Sequence, residues 1–116
     1  MIAHIVLLQP RPELTEQQRS DALGMLTRAA ADVPEIRRFK IGRRVKHGLP
    51  GYEQMMPEFD FAAVIEFDDV DGLRAYLQHP AHEAVGKHFS ASASAALAYD
   101  YEMWNLADAA KLVSLN

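Results

Sequence analysis

Apolar residues along this chain follow two periods, near 2 in four stretches and near 3.6 in the stretches between them. Ile2–Gln9 (IAHIVLLQ) is apolar on nearly both faces and predicts a buried strand. Pro10 and Pro12 close it, since neither can donate to a ladder. Thr15-Glu16-Gln17-Gln18 then has the form of a capping box, with Thr15 as N-cap and Gln18 at N3. The helix it opens carries a stripe of Ala22, Leu23, Leu26, Ala29, Ala30 and Val33, which stops before Pro34. Ile36–Lys46 predicts a second strand, with Phe39, Ile41 and Val45 on one face and Arg38, Lys40, Arg44 and Lys46 on the other. His47–Glu58 is rich in turn formers and reads as a long loop. Phe59–Phe67 predicts a third strand. Asp68 or Asp69 caps a helix whose apolar face is Val70, Leu73, Tyr76 and Leu77. Pro80 ends that helix and opens another, to about Ser92. Leu97–Trp104 predicts a fourth strand, in which Tyr99, Tyr101 and Met103 alternate with Asp100, Glu102 and Trp104.

The order β-α-β-β-α-(α)-β predicts an α+β fold, the ferredoxin-like split βαβ, with a four-stranded antiparallel sheet in the order 4-1-3-2. Both helical segments cover one face. Strands one and three are apolar on both, so the second face needs its own cover. A homodimer packed sheet to sheet meets that need. Its meeting edges would set Arg38, Lys40 and Arg44 of strand two against Asp100 and Glu102 of strand four, as ion pairs between subunits. Residues 1–104 form the expected domain, and 105–116 a tail of mixed polarity.

Composition narrows the function classes. The chain has 116 residues, 12 basic against 16 acidic, a net charge of −4 and no cysteine. Disulfides, thiol nucleophiles, thiolate zinc sites and Cys-ligated clusters are thereby excluded. An acidic balance argues against a nucleic-acid partner. The start shows no signal-peptide pattern, and no stretch nears the ~20 apolar residues of a membrane span. A cytoplasmic protein without a membrane partner is the expectation. No Gly-rich phosphate loop and no GxSxG elbow is present.

Histidines supply the candidate chemistry. His82 borders the apolar face of its helix, with Val85 and Phe89 at i+3 and i+7. A neutral imidazole there suits proton abstraction beside a carbonyl, but a helix-capping role explains it equally. Tyr76 sits on the apolar stripe with Leu73 and Leu77, as either a core tyrosine or a hydrogen-bond donor to a substrate carbonyl. His4 lies in a central strand between Ile2 and Val6, where a core histidine is the simpler reading. His79 and His82 make a His-x-x-His pair, yet two ligands are too few for a metal and Glu83 points elsewhere. Neither metal nor cofactor is expected. Arg37, Arg38, Lys40, Arg43, Arg44 and Lys46 hold six of the 12 basic residues. An ion-paired or solvated strand edge explains them better than an anion patch.

The segments Ile2-Ala3-His4-Ile5-Val6, Val64-Ile65-Glu66-Phe67-Asp68 and above all Tyr76-Leu77-Gln78-His79-Pro80-Ala81-His82 resemble the stress-responsive dimeric α+β barrel (Dabb) family. The resemblance runs from Met1 to about Met103. It implies a homodimer whose two sheets form a barrel, with a pocket between sheet and helices in each subunit. Most members have no established activity; the related olivetolic acid cyclase-like proteins close a polyketide by aldol chemistry without a cofactor. Carried over by position, the resemblance assigns the acid/base pair to Tyr76 and His82, and a pocket histidine to His4. Phe61 stands where that cyclase has a histidine, so the pocket lining differs. Two functions follow as expectations: a cofactor-free acid/base enzyme or binder for a small aromatic or polyketide-like molecule, or a non-catalytic stress or assembly protein with structural histidines. A quinone-forming monooxygenase is a third, which the His-Pro-Ala-His segment opposes.

Overall fold

The structure, a computed structural model, describes residues 1–113; residues 114–116 of the expected tail lie outside it. The elements run β1 (Ile2–Pro10), α1 (Glu16–Asp32), β2 (Ile36–Arg43), β3 (Phe61–Phe67), α2 (Val70–Leu77), α3 (Pro80–Ser92) and β4 (Ala93–Glu102), followed by a 3₁₀ turn (Leu106–Asp108) and a short α4 (Ala110–Val113). All pairings are antiparallel and the sheet order is β2-β3-β1-β4, the predicted ferredoxin-like arrangement.

Local chemistry fixes the helix ends. Thr15 and Gln18 form the full capping box, each side chain bonding the other's backbone N–H. Asp69, not Asp68, caps α2 by accepting from the Gly72 N–H at 2.8 Å. Asp68 instead pairs with Arg37. The buried line of α1 is Ala22, Met25, Leu26, Ala29 and Val33, while Leu23 and Ala30 of the expected stripe face solvent. Packing selected the positions at 3.6-residue spacing from Ala29, and Leu23 falls off that line.

All four strands differ from their predicted bounds: β1 takes in Pro10, β3 starts at Phe61 instead of Phe59, and β2 and β4 shift further. β2 stops at Arg43 instead of Lys46, although the Arg44 N–H still bonds the Asp60 carbonyl. β4 starts at Ala93, four residues before the expected Leu97. Alanine and serine are poor strand formers, so Ala93–Ala96 is extended because β1 lies alongside to pair with it. A register shift between Ile36 and Arg38 lets both Ile36 and Phe39 pack against the core beneath the helices.

Register assigns the two faces. Ile2, His4 and Val6 of β1 share the helix-covered face with Phe67, Ile65 and Ala63 of β3 and with Glu102, Asp100 and Ala98 of β4. The core lies here, built on Phe67, Ile65, Leu73, Tyr76, Val33 and Ala29. Each large side chain buried in it contributes about 1.5–3 kcal/mol. The opposite face carries Ile5, Leu7, Val64, Leu97, Tyr99 and Tyr101, with Arg38 and Lys40 at its β2 edge. No element of the chain covers that face among the described residues, and Tyr99 and Tyr101 are half exposed.

This assignment corrects the expected ion pairs. Asp100 and Glu102 lie on the helix-covered face, whereas Arg38 and Lys40 lie on the uncovered one. Arg38 meets Glu66 at 3.7 Å and Arg44 meets Glu58 at 3.3 Å within the chain. Asp100 is engaged by His4.

Candidate acid–base site

Three elements bring the candidate residues together. β1 delivers His4 to the helix-covered face, α2 delivers Tyr76, and α3 delivers His82. The bend between the helices is made by His79 and Pro80. His79 is itself the N-cap of α3, its Nδ1 accepting from the Ala81 N–H at 3.0 Å. That bond engages His79 Nδ1 in capping the helix. Among the described residues no group of three or more His, Cys, Asp or Glu side chains is placed to hold a metal ion.

The three rings pack edge to face. Centroids lie 4.8 Å apart for Tyr76 and His82, 5.9 Å for His4 and Tyr76, and 6.4 Å for His4 and His82. Phe67 closes the far side of Tyr76 at 5.5 Å. His4 is 6 % exposed and Tyr76 2 %. The Tyr76 hydroxyl makes no hydrogen bond to another described residue, and it is not among the fully buried polar atoms left without a partner, so its oxygen keeps a small opening to solvent. Burial pushes its pKa up to about 12, so it is a neutral donor at any physiological pH.

His82 is tuned the other way. Burial holds its pKa below the ordinary 6.5, and the nearby His4 ring lowers it further. A backbone hydrogen bond at Leu77 works against both without reversing them. His82 is therefore a neutral base near pH 7. Its outer side borders an open cleft of about 910 Å³ lined also by Leu77, Gln78, Glu83, Gly86 and Lys87. Neither His4 nor Tyr76 lines that cleft.

Sequence reasoning missed one member of the group. The Asp100 carboxylate lies 2.6 Å from His4 Nδ1. A carboxylate only accepts, so His4 Nδ1 carries the proton of that bond. Only the pairing of β1 with β4, which sets His4 opposite Asp100, brings the two together.

Fold and site thus define a ferredoxin-like α+β protein with a His–Tyr–His cluster beneath its helices. The match to known proteins makes this specific: the family model of the stress-responsive A/B barrel domain (Dabb) matches residues 2–103, and the chain belongs to that family. Among curated proteins none matches it in sequence. Solved structures do. A dimeric ferredoxin-like protein of unknown function from Thermobifida fusca is 27 % identical, with a TM-score of 0.68 over 88 % of this chain and 90 % of its own. Another from Jannaschia sp. is 25 % identical, with a TM-score of 0.71 over 88 % and 98 %. The hydroxynitrile lyase of Passiflora edulis shares the fold at 19 % identity, with a TM-score of 0.75 over 90 % and 96 %.

Proposed function

We propose that this Dabb protein is a cofactor-free acid/base enzyme acting on a small aromatic or polyketide-like carbonyl compound. His82 takes a proton from the carbon beside the carbonyl. Tyr76 donates its unengaged hydroxyl to the oxygen on which charge develops. His4, oriented by Asp100, holds the polar end of the substrate. The observation that carries this reading is the 4.8 Å separation of the ring centroids of a neutral imidazole and a phenol whose hydroxyl is bonded to no other described residue. One protein with this fold is a hydroxynitrile lyase, so the scaffold can support an enzyme. The reading includes a homodimer through the uncovered sheet face, in line with the dimeric relatives.

A competing reading is a non-catalytic stress or assembly protein whose histidines hold the fold. It is supported by the cleft beside His82, which neither Tyr76 nor His4 lines. Exchange of α-protons into heavy water, followed by NMR on an aromatic methyl ketone and a linear triketone, separates the two. Catalysed exchange should fall ~10²–10⁴-fold in His82→Ala while the melting temperature holds. No exchange above background by the wild-type protein, or full exchange in the variant, selects the non-catalytic reading.

A further inference from the structure

The basic run of β2 divides in the structure. Arg37 pairs with Asp68 at 2.9 Å, Arg38 approaches Glu66 at 3.7 Å, and Arg44 and Lys46 share Glu58 at 3.3 and 2.9 Å. These four follow the expected ion-paired edge. Lys40 is solvated on the uncovered face. Arg43 departs from the pattern, because it stands opposite Phe61 in the helix-facing row that Phe39 and Ile41 begin. The sheet is open at this end, and the Arg43 side chain is exposed there, with its guanidinium accessible to a ligand.

Among the described residues, neither the Arg43 side chain nor that of Arg19, near the start of α1, makes an ion pair or a hydrogen bond. Both line one cleft of about 570 Å³, with Arg44, Lys46, Gln9 and Asp60. The volume falls within the usual range for small-ligand pockets. Asp60, its one lining carboxylate, is held by Gln9: the Gln9 Nε2–H donates to Asp60 Oδ2 at 3.0 Å, and Gln9 Oε1 accepts from the Asp60 N–H at 2.8 Å. It forms no ion pair with the cations around it. This concentration of positive charge sits in a chain whose net charge is −4.

We propose that this cleft binds a small anion through an oxyanion group, phosphate or carboxylate, clamped between Arg19 and Arg43. Two guanidinium forks can each present paired N–H donors to such a group. Gln9 and His4 are five residues apart on β1, so the cleft lies about 16 Å along the strand from the acid–base cluster. It is a second site, independent of the reading given above.

Amide chemical-shift titration with inorganic phosphate, and separately with acetate, tests this on the full chain. Saturable shifts are expected at Gly42, Phe61 and Ser94 with at least one of the two anions, and the responding anion identifies the head group. Arg43→Gln should weaken binding by about tenfold, and Arg19→Gln, on an exposed helix position, by a similar factor. Lys40→Gln, on the other face of the same strand, should leave it unchanged. Shifts that fail to saturate with both anions, or an equal loss in Lys40→Gln, overturn the proposal by reducing the effect to charge screening. Dissociation of a dimer in Arg19→Gln or Arg43→Gln also overturns it, by assigning the arginines to a contact between subunits.

Discussion

Replacing Tyr76 by Phe removes a single oxygen from the centre of the acid–base cluster and leaves the packing against Phe67 and His82 in place. A hydroxyl that makes a native hydrogen bond would be missed at about 1 kcal/mol or more. The Tyr76 hydroxyl makes none among the described residues, in a side chain only 2 % exposed. Tyr76→Phe is therefore expected to match the wild-type stability near neutrality or exceed it by up to about 1 kcal/mol, roughly 4 °C in Tm. A second consequence appears at alkaline pH. Burial raises this phenol from 10.0 to about 12 in the native state. The unfolded chain ionises first as pH rises, so the wild-type stability is intact below 10.0 and falls on the way to about 12. At about 1.4 kcal/mol per pH unit the loss approaches 3 kcal/mol, and the phenylalanine variant lacks it. Urea denaturation of both proteins, near neutrality and across that alkaline window, measures both effects. A loss of 1 kcal/mol or more in Tyr76→Phe near neutrality refutes the reasoning. It would mean that the hydroxyl is already engaged in the resting protein and is not free for a ligand.

Three further outcomes are expected. His4→Gln removes the neighbour that helps to lower the pKa of His82, so the His82 imidazole should titrate at higher pH by NMR while staying below 6.5, because burial is the larger cause; an unmoved titration would rule out the coupling. With its native pKa below that of the unfolded chain, His82 should also cost the fold stability as pH falls below 6.5, and His82→Gln should flatten that part of the pH–stability curve. Asp100→Asn should cost about 1–2 kcal/mol in urea denaturation, at the low end for a charge-assisted bond because the carboxylate is partly exposed, and an unchanged midpoint would show that the His4 bond contributes nothing. Tyr101→Glu places a charge on the uncovered sheet face and should convert a dimer into a 13.0 kDa species by sedimentation, while a wild-type protein that is already monomeric at micromolar concentration would refute self-association through this face.

Much of the fold was legible because its signals are local. The capping box at Thr15, the proline at the start of α3 and the two-residue alternation in β1 and β3 each depend on neighbours in the chain, and each appears where expected. Tyr76, His82 and His4 were legible as candidates because apolar periodicity put each of them on an inward face. Their meeting was not, since the pairwise distances depend on how α2 and α3 seat on the sheet.

What the tertiary structure alone decided involves partners far apart in the chain. Asp100 was expected to pair with the basic strand edge of a partner subunit, and it is instead the residue that orients His4, 96 positions away. Ala93–Ala96 has no strand propensity of its own and is extended because β1 offers it a ladder. Arg43 shares a face with Phe39 and Ile41 by alternation, but only the pairing of β2 with β3 sets it opposite Phe61. Sequence determines patterns whose period is a few residues; which pattern faces which is settled by packing, because burial energy depends on the whole assembled sheet and not on any one strand.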